Sequence, residues 1–215
     1  MNILNDKRGR LLRAKIKQYF PIPKLNKLEL KVLPKTKNQT YVGYAFDYVF
    51  RTYIDFKSNS SGSSLEWFQD VENKINVVSG NGFFNNTFYY EAQYRVILKK
   101  EFDKAKDRFT NFQKNGKITQ SLLRSSLFLG QIEMIRYPNM KKYMGIYDNL
   151  DVSDLRELIS LVDVDIFNLK NKEIYYNPNF GVGSGDIIIG STLIDIKVTN
   201  SPSRNRRAHF NQVVC

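Results

Sequence analysis

Apolar residues recur at helical spacing through most of the chain. Ala45, Phe46, Val49, Phe50 and Tyr53 fall three and four positions apart, which predicts an amphipathic helix over Val42–Phe56. The same periodicity predicts helices at roughly 65–78, 88–113 and 117–136, with Asn115-Gly116 as punctuation between the last two. A shorter helix fits 151–162, where Asp151-Val152-Ser153-Asp154 resembles an N-cap with acidic residues in the first turn. Ser58 to Ser64, made of Ser, Gly and Asn, reads as a turn or loop. Near the N-terminus, residues 3–19 form a basic helical pattern in which Lys7, Arg8, Arg10, Arg13, Lys15 and Lys17 surround Leu4, Leu11, Leu12 and Ile16. Pro21, Pro23 and Pro34 then break regular structure. No internal repeat is present. Residues 1–170 thus read as a mainly helical region, with a candidate core helix at 42–56.

From about residue 171 the period changes. Glu173 to Tyr176 is a short β-prone run stopped by Asn177-Pro178. A glycine-rich turn, Gly181-Val182-Gly183-Ser184-Gly185, then leads into Asp186 to Thr199, a stretch dense in β-branched residues. Gly190-Ser191 suits a two-residue II′ hairpin turn. With that turn, Ile189 faces Thr192, Ile187 faces Ile194, and Asp186 lies opposite Asp195. Strand alternation puts Asp186, Ile188, Leu193, Asp195 and Lys197 on one side. Ile187, Ile189, Ile194, Ile196 and Val198 take the other, an aliphatic face suited to a core.

The polar side of this hairpin is chemically pointed. Directly opposed cross-strand residues have Cβ atoms roughly 4.5–5.5 Å apart. Two carboxylates at that spacing repel unless a positive charge sits between them. A divalent cation supplies that charge, with water and phosphate oxygens completing its shell. Lys197, on the same face as Asp195, adds a point charge near an attacked phosphate and a means of holding the attacking water. The plain alternative is a surface hairpin whose charged residues meet only water. Against it stand the isolated Asp186, the aliphatic opposite face, and the basic segment Ser201 to Arg207, where Arg204, Arg206 and Arg207 are candidates for contacting a nucleic-acid backbone. A solvated basic loop is the rival account of those arginines. A helix is expected to open at Ala208 to Cys215.

Composition narrows the chemistry further. The 215 residues are 42% hydrophobic and 13% aromatic, enough to bury a real core. The formal net charge is +12, which favours a polyanionic partner, although a Lys- and Asn-rich composition also raises net charge without any such function. One cysteine, Cys215, excludes an internal disulfide and a Cys-rich zinc site. One histidine, His209, excludes a histidine-based metal cluster. Metal chemistry must then rest on carboxylates, which favours Mg²⁺ or Mn²⁺. No apolar run approaches membrane-spanning length, so no membrane partner and a cytoplasmic setting are expected. Gly181 to Gly185 lacks the Gly-Lys-Ser/Thr of a P-loop and precedes a strand, so it reads as a turn that admits Asp186 to the site. Arg51 and Arg136 are expected near helix ends, paired with Glu133 or another acid. Trp67 is expected in the core.

Gly185-Asp186 followed by Leu193-Ile194-Asp195-Ile196-Lys197-Val198-Thr199 resembles the second and third strands of PD-(D/E)XK nucleases, especially the RecB-like branch. The resemblance implies an α/β fold with a restriction-endonuclease-like core, a mixed sheet flanked by helices, behind a large helical N-terminal region. It implies that Asp186 and Asp195 bind metal and that Lys197 assists hydrolysis. The branch carries a Gln-x-x-x-Tyr motif on the next helix, and Gln212 matches its glutamine. The chain ends one residue before the tyrosine, and the fold's following strand has no counterpart, so a C-terminus truncated relative to the family is expected. A further metal-binding acid stands on an upstream helix in that branch; Val42-Gly43-Tyr44-Ala45-Phe46-Asp47 resembles it, with Asp47 as the residue. Residues 171–215 would then hold the nuclease hairpin and the start of the following helix.

The function expected from these features is Mg²⁺- or Mn²⁺-dependent hydrolysis of DNA. One rival is a catalytically inactive or truncated nucleic-acid-binding module of the same fold. The other is an interaction protein whose helices dock a partner.

Overall fold

A computed structural model describes residues 35–59, 66–80, 88–134, 144–179, 185–194 and 196. Among the described residues five α-helices precede the strands: α1 (Gln39–Ser58), α2 (Trp67–Gly80), α3 (Phe88–Asn115), α4 (Gln120–Glu133) and α5 (Asn149–Ser160). A 3-10 turn, Val164–Phe167, leads to strands β1 (Ile174–Tyr176), β2 (Ile187–Ile189) and β3 (Thr192–Ile194). The strands form an antiparallel meander in the order β1-β2-β3. The protein is therefore helix-rich with a small sheet, and a mixed sheet is not seen among the described residues.

α4 lies at the centre of the helical layer, and small or hydrogen-bonded polar residues are buried along it together with its leucines. Leu122, Leu123 and the whole run from Ser125 to Ile132 are buried. The hydroxyls in that run are satisfied: Ser126 donates to the Leu122 carbonyl, and Ser125 accepts from Arg108. Thr119 caps the helix by accepting from the Leu122 N–H. Gly130 lets α1 come close, since a Cβ there would stand 2.2 Å from the Tyr41 carbonyl oxygen. Tyr41, Val42, Ala45, Tyr48 and Val49 of α1 fill that crossing. Trp67 and Phe68 of α2 pack against Phe102 and Phe109 of α3 in a knot of edge-on and tilted rings. Trp67 is buried, as its sequence context predicts.

α1 serves a second core as well. Phe50 and Ile54, on the side away from α4, pack with Val164, Leu169, Ile187 and Ile189. The sheet therefore rests on α1, and the helix joins the helical layer to the strands. Register agrees with the sequence: Ile187 pairs with Ile194, Ile188 with Leu193, and Ile189 with Thr192, around Gly190 at φ +57°. Ile187 and Ile189 are fully buried while Leu193 faces solvent, the expected division of faces.

One local expectation is corrected. The N-cap of α5 is Asp148, not Asp151; Asp151 sits three residues in and completes a capping box. The helix can thus begin at Asn149, with Asp151 free to anchor the chain before α1. Its carboxylate accepts from the Thr36 hydroxyl, Asn38 Nδ2 (3.1 Å), the Tyr41 hydroxyl (2.5 Å) and the Asp148 N–H (2.9 Å). No helix among the described residues is long and apolar enough to cross a membrane.

Candidate functional site

α1 presents a polar stripe as well as its apolar faces. Tyr44, Asp47, Tyr48 and Arg51 stand at i, i+3, i+4 and i+7, hence on one side of the helix. α2 presents a similar stripe, Trp67, Asp70 and Lys74. The two stripes line a cleft of about 240 Å³. Glu133, at the last turn of α4, and Asn177 and Asp186, from the two ends of the connection between β1 and β2, complete the lining.

Arg51 organises one end. Its side chain is only 5% exposed. Nε donates to Asp47 Oδ1 at 2.7 Å, Nη1 donates to Asn177 Oδ1 at 2.8 Å, and Nη2 stands 3.8 Å from Asp186 Oδ1. The guanidinium also lies 5.8 Å from the centre of the Tyr176 ring. Its position corrects one part of the sequence expectation, since Arg51 is well inside α1 and not near its end; the expected pairing with an acid is met by Asp47 and Asp186 instead of Glu133. The reason is the seven-residue stripe, which points it at the sheet. Arg136 lies outside the described residues.

The loop between β1 and β2 is shaped to deliver Asp186. Asn177 adopts a left-handed conformation at φ +49°, which Asn tolerates better than most residues. Its N–H donates to the Asp186 carbonyl at 2.9 Å, and the Gly185 N–H donates to the Pro178 carbonyl at 3.1 Å. At Gly185 a Cβ would stand 2.5 Å from a Leu193 methyl, so a larger residue there would push the Leu193 side chain aside. Asp186 Oδ2 accepts the backbone N–H of Ile196. That bond ties the acid to the chain just beyond β3, between positions 195 and 197.

Electrostatics at this end are unbalanced. Burial pushes the Asp47 carboxyl above the usual range; Arg51 opposes the shift, while the negative charges of Asp186 and Glu133 add to it. At the other end, Glu133 accepts from the Tyr48 hydroxyl and takes Lys74 Nζ on both oxygens, at 2.7 and 2.6 Å. Burial and the Glu133 charge raise the Tyr48 hydroxyl, keeping it a neutral donor. The cleft thus carries four carboxylates, Asp47, Asp70, Glu133 and Asp186, against two cations, Arg51 and Lys74.

Of the residues singled out from sequence, Asp47 and Asp186 are brought together, both within reach of one guanidinium. Asp195, Lys197, Gln212, Arg204, Arg206 and Arg207 lie outside the described residues. Among the described residues, no three His, Cys, Asp or Glu side chains form a metal-binding group. The two acids nevertheless fit a hard divalent cation in donor type: both offer oxygens, both keep partial solvent access (23% and 28%), and the pair is held against a surplus of negative charge. The stripe of α2 and the Lys74–Glu133 pair were not foreseen. The spacing of Trp67, Asp70 and Lys74 was the available signal. No protein-family model, curated protein or solved structure matches the chain.

Proposed function

We propose that the chain is a metal-dependent nuclease of PD-(D/E)XK type, hydrolysing DNA phosphodiester bonds with Mg²⁺ or Mn²⁺. The observation that carries this reading is the meeting of Asp47 and Asp186 at one end of a cleft, from elements far apart in sequence. The hairpin register, with Ile187 opposite Ile194, supports it too, because it is the register from which the sequence expectation of Asp195 opposite Asp186 follows.

In this reading Asp47, Asp186 and Asp195 hold the cation. Bound there, it would lower the pKa of a water and neutralise charge on the phosphate. The chain's own groups do the rest. The Ile196 N–H fixes one oxygen of Asp186, and the Arg51 guanidinium stands 3.8 Å from the other. Arg51 holds Asp47 in place through its 2.7 Å bond. Lys197 holds the attacking water and offsets charge as it develops. Gln212 supports the site, and Arg204, Arg206 and Arg207 contact the backbone. Water adds to phosphorus, one P–O ester bond breaks, and the departing oxygen takes a proton.

The test is incubation of the full chain with single- and double-stranded DNA and Mg²⁺ or Mn²⁺. Cleavage is expected, stopped by chelation, and reduced about a hundredfold or more by Asp186→Asn, Asp195→Ala or Lys197→Ala. Metal-dependent cleavage surviving all three would exclude this centre. One observation favours a second reading. Arg51 already places a positive charge beside both carboxylates, which suits a nucleic-acid-binding module that does not cleave. That module would bind DNA in a salt-sensitive way, indifferent to chelation.

A further inference from the structure

The far end of the cleft is unlike the carboxylate end. There Tyr44 turns an aromatic ring to solvent, 37% exposed, although it belongs to a helix whose other rings are mostly packed away. In the same cleft, Lys74 is 44% exposed and bonded to Glu133, which also accepts from Tyr48. An exposed ring and a reachable ammonium in one cleft with metal-type acids match the two parts of a nucleotide, a base to stack and a phosphate to neutralise.

We propose that Tyr44 and Lys74 seat one unpaired nucleotide of a single strand, its base against the Tyr44 ring and its phosphate against Lys74 Nζ. The inference rests on the nuclease reading and names its substrate class: single-stranded DNA, or an unpaired end of a duplex. Size supports it. A cleft of about 240 Å³ takes a unit the size of one nucleotide, whereas a duplex keeps its bases paired and stacked and has none to offer until one is extruded. Charge sets a condition. Four carboxylates face two cations, so a phosphate enters against net repulsion unless a divalent ion offsets it. Lys74 has three donors and two Glu133 oxygens to serve, so one donor can turn to phosphate while Tyr48 keeps Glu133 satisfied.

The experiment is fluorescence anisotropy of the full chain with a labelled oligothymidylate of about fifteen nucleotides, and with a blunt duplex of equal length. Each titration is run in Ca²⁺ and again in chelator. Tyr44→Ala is expected to weaken oligothymidylate binding about tenfold and leave duplex binding unchanged, while Tyr44→Phe binds as the parent does, because the ring and not the hydroxyl stacks. Lys74→Gln is expected to weaken the same binding and lower its salt slope by about 0.7, with Lys74→Arg restoring both. Circular dichroism melts check that each variant folds. Oligothymidylate binding untouched by Tyr44→Ala, or single and double strands weakened alike, would overturn the proposal. The ratio of variant to parent within one buffer tests this inference. The ratio of calcium to chelator tests the nuclease reading, so either can fail alone.

Discussion

Arg51 reaches Asp186 at 3.8 Å while bonded to Asp47 at 2.7 Å, so a single buried guanidinium is shared by two acids. Removing it takes the buried positive charge away from both carboxylates. Arg51→Leu is therefore expected to cost about 3 kcal/mol, near the low end for breaking a buried ion pair because both acids keep some water contact. If these acids hold a divalent ion, Mn²⁺ should restore more stability to Arg51→Leu than to the parent. Thermal melts with and without Mn²⁺ read both effects; an equal shift in the two proteins would separate Arg51 from the metal site.

Asp47 gives a pH signature. Its carboxyl is raised above its unfolded value, chiefly by burial. Between the two values the folded chain binds more protons than the unfolded one, so this group's contribution to stability falls as pH rises. Its favourable part is complete below the ordinary carboxyl range and is lost on passing upward through the raised value. Asp47→Asn removes the titration. The stability of Asp47→Asn relative to the parent should therefore increase from about pH 4 toward pH 7, measured by urea melts across that range. A difference that stays flat with pH contradicts the assignment.

Gly130 sets the approach of α4 to α1. Alanine would improve helix propensity by about 1 kcal/mol. Its methyl would meet the Tyr41 carbonyl oxygen at 2.2 Å, and that oxygen belongs to a packed helix backbone that cannot turn aside. Overpacking wins, and Gly130→Ala is expected to destabilise by about 2 kcal/mol net. Denaturant unfolding measures it, and a stability at or above the parent's would show that the two helices part at little cost.

Asp151 ties α5 to the segment before α1. It is fully buried, and Thr36, Asn38, Tyr41 and the Asp148 N–H all donate to it. Asp151→Ala leaves the Tyr41 hydroxyl and an N–H without their acceptor, a loss of about 3 kcal/mol or more. Hydrogen exchange should quicken first at residues 35–41, ahead of α4; uniform loss of protection would point to a global effect instead.

What could be read from sequence follows from how local each signal is. The hairpin was legible because Gly190-Ser191 and strict alternation fix register within a few residues, and the observed pairs Ile187–Ile194 and Ile189–Thr192 agree. α1 was legible from the spacing of Ala45, Phe46, Val49 and Phe50, and Asp47 stood out within it. The partner of Arg51 was not, because Asp186 lies in a remote loop whose path depends on Asn177 and Gly185. Glu133 likewise meets Lys74 and Tyr48 only through the packing of three helices. Asp151 misled for another reason: capping chemistry suits both Asp148 and Asp151, and their order is decided by the buried bonds to Thr36 and Tyr41.

The central claim is that Asp47 and Asp186 belong to one cation site. Mn²⁺ binding to the full chain, followed by electron paramagnetic resonance, tests it most directly with the parent, Asp47→Asn and Asp186→Asn. The parent should bind the ion, and each substitution alone should weaken binding by more than about tenfold. Equal binding by all three proteins, or none by the parent, would contradict it.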